Sequence, residues 1–422
     1  MRTRFPRLVA TLAAGVVSAA PVAAQVYATP LPHGPGSVAL PLPGGPLAAP
    51  VLLPVGAPTA APVAIYNYPS PLTAAQPSAI SGWAATGCES GACGPRFYGS
   101  ADFLYAAAQG TSLPPLVTVA PAGAVVPPAG SLYTPAPILF GGQHREGAAF
   151  RPGFKLNFGY LFGEGRNGVD AGFFFLGGLS EEFIGLTTPV ATLARPFVDA
   201  GGGVPVQSAL RVDGMTASLD TFTAGGDVNW RHNLTRDCNN RIDLLVGFRY
   251  LHLGDSADVW STINVAPGAA VLTHDSFRTQ NNFYGPQVGV DGRFMMNARF
   301  TLGLLAKLGM GASVASANTE GVSTATGIVG PVGPGLLVQP TNTVAVRDSY
   351  FAVVPEAGVR LGYQITDGLN FGVGYNFVYW SKVRRAGDQI DLTANGAGRP
   401  VFSNRTGDYW VQGWTAGLEW KY

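Results

Sequence analysis

The residues able to do chemistry in this sequence fall at regular intervals. Asp102, Lys155, Asp170, Asp227, Asp243, Arg249, Asp291, Arg293, Arg299, Lys307, Glu356, Arg360 and Glu419 occupy polar positions of apolar/polar alternations. A strand sends successive side chains to opposite faces, so these charges share one face of their strands. They are mixed in sign, and an unpaired buried charge is costly, so inside a narrow enclosure they should pair and rigidify it. A second group is His252, Asp255, His274 and Asp275, near the ends of two neighbouring strands. A His beside a carboxylate can act as a base that activates water. No nucleophile motif accompanies it, so no catalytic residue is assigned and no enzyme is expected. Five His and three Cys make no zinc spacing. Gly-rich stretches such as Gly201-Gly202-Gly203-Val204-Pro205 precede no helix signal and are not phosphate loops. Neither a metal nor a cofactor is expected.

The elements that must position these charges are strands. The last stretch, Asp408 to Tyr422, shows the pattern most clearly. Trp410, Trp414, Ala416, Leu418, Trp420 and Tyr422 line one face, and Val411, Gly413, Thr415, Gly417, Glu419 and Lys421 the other. Three Trp and a terminal Tyr on one face suit a strand whose outside meets lipid and whose ends meet headgroups. Trp414, Leu418, Trp420 and Tyr422 look like the carboxy-terminal assembly signal of bacterial outer-membrane barrels, which implies the barrel-assembly machinery as a partner during insertion. The same alternation recurs upstream. Phe154, Leu156, Phe158 and Tyr160 alternate with Lys155 and Asn157, and Val246, Phe248 and Tyr250 with Gly247 and Arg249. Phe300, Leu302, Leu304 and Leu308 alternate with Thr301, Gly303 and Lys307. About ten such strands can be placed between Arg96 and Tyr422.

Composition narrows the class. Only 12% of residues are charged and 57 are Gly, against roughly 25% and 7% in soluble domains. A net charge of +1 gives no reason to expect a nucleic-acid partner. No uninterrupted apolar run of about 18 residues could cross a bilayer as a helix. A membrane protein of this composition must then be a closed barrel, the other structure that satisfies its backbone in lipid. Arg2, Arg4 and Arg7, the apolar run Leu8 to Ala20, and Val22-Ala23-Ala24 form a secretory signal peptide over residues 1–24. Residues 25–95 are Pro/Ala-rich, and Pro at this density stops both helix and sheet. They are expected to form a largely disordered periplasmic linker before the barrel of residues 96–422. Cys88, Cys93 and Cys238 leave the disulfide pairing open.

Connections separate a barrel from a sandwich. The short ones are Leu161–Gly168, Arg231–Asn240, Met295–Ala298 and Gln364–Leu369. The long ones are Gln109–Ala148, Gly178–Ala209, Gly254–His274, Ala315–Arg347 and Ser381–Gly407. Short and long alternate strictly, as in a transmembrane barrel with periplasmic turns and extracellular loops. The expected fold is all-β: an antiparallel transmembrane barrel of about ten strands in the bacterial outer membrane, with outer-membrane lipid as its surroundings.

Several colinear segments resemble the putative beta-barrel porin-7 family of outer-membrane proteins. They include Leu113-Pro114-Pro115-Leu116-Val117-Thr118, Ile138-Leu139-Phe140-Gly141-Gly142, Ala194-Arg195-Pro196-Phe197, Arg241 to Tyr250, Phe283-Tyr284-Gly285, Phe351 to Trp380, and Gly387-Asp388-Gln389-Ile390-Asp391. The resemblance runs from about Phe97 to Tyr422 and omits the linker. It implies an outer-membrane barrel and a porin label, without catalytic residues.

Two activities follow as expectations. The first is limited passage of small solutes. The second is a closed structural or binding barrel that presents its loops outside. Barrels of ~8 strands are filled by side chains and those of ~16 leave a water channel, so ten strands argue against a wide pore. The long loops either carry recognition or fold back over the mouth as a cap.

Overall fold

The computed structural model describes residues 97–121, 130–132, 136–142, 145–162, 165–202, 206–237, 239–327, 333–394 and 398–422. The signal peptide, the linker and all three Cys lie outside the described residues. In chain order the strands are β1 (Phe97–Ala108), β2 (Thr111–Ser112), β3 (Val117–Pro121), β4 (Ile138–Phe140), β5 (Arg145–Glu146), β6 (Arg151–Phe162), β7 (Asn167–Leu186), β8 (Ala191–Asp199) and β9 (Val206–Val212). They continue with β10 (Gly214–Arg236), β11 (Asn240–Ala266), β12 (Ala269–Met295), β13 (Phe300–Thr326), β14 (Ala345–Thr366), β15 (Leu369–Val383), β16 (Thr393–Ala394) and β17 (Gly407–Lys421).

Ten of these close into an antiparallel barrel in the order β1-β17-β15-β14-β13-β12-β11-β10-β7-β6. The seam joins the first and last barrel strands, with Phe103 opposite Ala416. At its lower end the Phe97 N–H donates to the Tyr422 carbonyl at 3.0 Å, and the Tyr422 N–H returns to Phe97 at 2.8 Å. Closure leaves no open edge, which is what a sheet in lipid requires. Gly417 is fitted to this seam, since a Cβ there would meet the Ala101 carbonyl oxygen at 2.1 Å.

Side-chain facing follows the alternation expected from sequence. Phe103, Val246, Phe248, Leu304, Val359, Phe371 and Trp414 are exposed on the outer wall, while Asp102, Asp243, Arg249 and Thr415 are buried inside. Aromatic pairs bind neighbouring strands across the outer wall: Phe154–Phe173 at 5.9 Å, Tyr250–Tyr284 at 5.2 Å and Tyr375–Trp414 at 5.1 Å between ring centroids. Rings at such levels suit the lipid–water interface.

Three of the expected long loops need correction. β11, β12 and β13 each have 27 residues, whereas ~9–11 span the hydrocarbon. Gly254–His274 is therefore not a loop but the upper part of a hairpin, in which Trp260 pairs His274 and the chain turns at Pro267 and Gly268. β7 likewise runs on to Leu186 and β13 to Thr326, inside segments expected to be loops. The sequence hides this because Ser, Asp and Thr replace apolar residues on the outer face above the membrane. The inner face stays apolar, through Ala217, Leu219, Ala257, Val259 and Phe277.

The result is a barrel with one tall wall, β7-β10-β11-β12-β13. Against its inner face lies a small sheet of order β16-β8-β3-β4, with β9 paired to β8. Leu113, Leu116, Val117, Phe140, Leu193 and Val212 from the loops share one buried core with Leu219, Val259 and Phe277 of the wall. The loops thus fold back as a cap, the second of the two roles expected for them.

Candidate functional site

The lumen has three storeys. The lowest holds the charges. Arg231 is a hub: its guanidinium meets Asp170 at 3.0 Å, Asp243 at 2.7 Å and Asp291 at 2.8 Å. Arg241 adds a second contact to Asp243 at 2.8 Å. Arg293 pairs Glu419 at 2.5 Å, and Arg360 pairs Asp102 at 2.6 Å. Higher up, Asp227 accepts from Lys307 at 2.6 Å and Arg249 at 3.1 Å. Arg249 also bridges to Glu356, which Lys155 approaches at 3.5 Å. Most of these charges line a cavity of about 210 Å³ that extends to Asp237, Asn239, Gln364 and Asn370 at the short turns.

All but one of the lumen charges expected from sequence join this network. Arg299 does not. It is exposed at the turn before β13 and donates from Nη1 to the Tyr363 hydroxyl at 3.1 Å. It precedes the first paired residue of the strand, so the alternation does not yet fix its direction. Arg231, the hub, was assigned by sequence to a turn. β10 continues to Arg236, which turns Arg231 into the lumen.

The middle storey is apolar. Leu104, Leu176, Leu251, Leu253, Phe283, Val354, Trp380 and Val411 are all buried and form one contiguous cluster with Ala106 and Tyr409. Phe283 and Trp380 meet edge to face at 6.3 Å. The inward glycines make room for these side chains. A Cβ on Gly225 would strike Leu251 at 2.4 Å, and one on Gly309 would touch the Phe283 ring at 3.4 Å. The space beside these inward glycines is therefore filled by side chains of the neighbouring strands.

The top storey fastens the cap to the barrel. Asp255 accepts from Thr111 Oγ1 at 2.9 Å, Thr221 Oγ1 at 2.7 Å, Arg385 Nε at 2.8 Å and the Ala386 N–H at 3.2 Å. Burial opposes the charge on Arg385, but the Asp255 carboxylate outweighs it and holds the guanidinium above its usual pKa. Arg384 donates to the Ala315 carbonyl at 3.3 Å and to Asp348 at 2.7 Å. Asp275 binds Arg195 of β8 at 2.6 Å and accepts from the N–H groups of Leu337 at 3.1 Å and Val338 at 2.8 Å.

The four residues weighed as an acid–base group do not converge. Asp255 and Asp275 point inward and serve as these fasteners. His252 and His274 lie on the outer face, where His252 Nδ1 is 2.9 Å from Asn282 and His274 Nε2 is 2.9 Å from Asp258. Among the described residues, no group of three His, Cys, Asp or Glu side chains could hold a metal ion. Arg195, Arg384 and Arg385 were not singled out by sequence as buried. One signal was present. Leu113–Thr118, Ile138–Gly142, Ala194–Phe197 and Gly387–Asp391, which carry the family resemblance, all gather in the cap or beside its fasteners.

A model of the family described as putative beta barrel porin-7 matches residues 98–422. The chain belongs to that family. It is an outer-membrane β-barrel protein. No curated protein matches it. Among solved structures, the attachment invasion locus protein Ail of Yersinia pestis is 10% identical, with 78% of this chain and 99% of that chain covered and a TM-score of 0.21. The toluene transporter TodX of Pseudomonas putida is 7% identical, with 78% and 90% covered and a TM-score of 0.22. A FadL homologue of Pseudomonas aeruginosa is 9% identical, with 78% and 90% covered and a TM-score of 0.21. Overlap at this level says nothing about activity in this chain.

Proposed function

We propose that this family member is a closed barrel. It stands in the outer membrane as a structural or binding element and presents its capped, tall wall outside, without a resting conduction path. The observation that carries this reading is the apolar layer of Leu104, Leu176, Leu251, Phe283, Val354, Trp380 and Val411 between the charged cavity and the cap. An apolar constriction excludes water and hydrated ions. Burying each large apolar side chain is worth roughly 1.5–3 kcal/mol, so opening the layer requires many kcal/mol. The cap adds a second barrier above it. Passage of small solutes, the other activity expected from sequence, requires both to move.

In this reading a cleaved signal peptide directs export, the assembly machinery recognises the terminal Trp414, Leu418, Trp420 and Tyr422 strand, and lipid surrounds the finished wall. Liposome swelling tests the closed state. Proteoliposomes holding the full-length protein should swell no faster than empty liposomes in small sugars or amino acids. Swelling that falls with solute size would establish a pore instead.

A further inference from the structure

Above the aromatic level, the outer face of the tall wall changes character twice. Two successive register rows across β7, β10, β11, β12 and β13 are polar: Ser180, Asp220, Ser256, Arg278, Asn318, and then Glu182, Ser218, Asp258, Ser276, Glu320. The next row reads Ile184, Thr216, Trp260, His274, Val322, and Leu186 stands above Ile184. Ile184 is 70% exposed, Leu186 74% and Trp260 48%. This second apolar surface cannot continue the lipid band, because two charged rows separate them and charge on a lipid face is costly.

Its shape is a groove. Trp260 and Ile184 rise on either side of Thr216, two strand spacings or roughly 9.6 Å apart. His274 stacks on one face of the Trp260 indole at 3.7 Å and 6°. Asp258 holds that imidazole at 2.9 Å. The other indole face is left towards Thr216 and the aliphatic wall. Gly214 and Ser218 extend the floor along β10. At the lower end stand Glu182 and Asp220, both exposed, and Asp258, which Arg278 approaches only at 3.8 Å.

We propose that this groove docks an extended, basic polypeptide segment of a partner at the cell surface. A Lys or Arg side chain lies along the free indole face, a favourable position for a cation. Glu182 and Asp220 receive its charged head, and apolar neighbours in the segment cover Ile184 and Leu186. Charge selects this occupant: the carboxylates repel the phosphates of a lipid headgroup or a nucleic acid. The inference is independent of whether the lumen conducts.

The test uses the full-length protein in phosphatidylcholine nanodiscs and fluorescence anisotropy of a short fluorescein-labelled peptide alternating Lys and Leu. Binding should saturate, and a Glu/Leu peptide should not bind. Trp260→Ala, and separately Glu182→Gln with Asp220→Asn, should each weaken it about tenfold, while Trp260→Phe keeps most of it. Heat-modifiable migration on gels verifies that each variant still forms the barrel. The proposal is overturned by absence of saturable binding, by equal binding in Trp260→Ala, or by a groove that takes the neutral sugar maltoheptaose in place of the basic peptide.

Discussion

Arg385, just beyond the end of β15, donates from Nε to Asp255 on the inner face of β11 at 2.8 Å, across 130 residues of chain. Both side chains are buried. This contact ties the last loop to the tall wall, and through Thr111 it ties in the first loop as well. Removing one partner of a buried pair leaves an uncompensated charge and costs about 3–5 kcal/mol. Arg385→Ala or Asp255→Ala should therefore lower the thermal midpoint and open residues 384–406 to proteases, with the barrel still closed. Arg385→Met with Asp255→Leu should recover much of that loss, because apolar replacement of a buried pair is often neutral. Loops that stay as resistant as wild type in the single variants would show that the latch does not hold the cap.

Facing can be tested one side at a time. Val246 is exposed on the outer wall, and Val246→Arg at mid-bilayer depth should cost about 2–4 kcal/mol. Gly303 faces the cavity, and a Cβ there makes only ordinary contact, at 3.5 Å from Arg360. Gly303→Arg should cost clearly less in urea-unfolding experiments in lipid. Equal damage at both positions would contradict the assignment of inside and outside.

These two sites also mark how far the sequence could be read. Residues such as Val246 and Gly303 obey a period of two, which backbone geometry imposes whatever the tertiary structure, so facing and strand number were legible. Strand length was not. Above the membrane the outer face loses its apolar signal at Ser256, Asp258 and Ser276, and pairing continues because the inner face packs on the cap. Arg231, Arg384 and Arg385 were hidden for a related reason: burial of a cation depends on carboxylates brought from distant strands, which no local pattern records. Arg299 failed the other way, since a residue just outside the paired strand has no imposed direction.

The segment between β15 and β17 carries its own pH dependence. Burial disfavours the charged form of Asp391, but the N–H groups of Val401 and Thr393 and the Arg399 guanidinium outweigh it and hold the carboxyl below its usual pKa. These donors lie at 2.9, 2.9 and 2.8 Å. A depressed folded-state pKa stabilises fully above the unfolded value of about 3.9, and that stability is lost as pH falls through the folded value. The thermal midpoint of wild type should exceed that of Asp391→Asn near neutral pH, and the difference should close as the pH drops below about 4. A gap that stays constant across this range would remove Asp391 as the titrating group.

Single-channel recording in planar bilayers tests the closed lumen most directly. Wild-type protein should insert without conductance steps at any applied voltage. A variant combining deletion of residues 386–404 with Trp380→Ala and Phe283→Ala, which removes one loop of the cap together with its Ala386 fastener and hollows the apolar layer, should show discrete openings. Steady ohmic steps from the wild-type protein would contradict the account, because they would require an open path where Leu251, Phe283 and Trp380 are packed together.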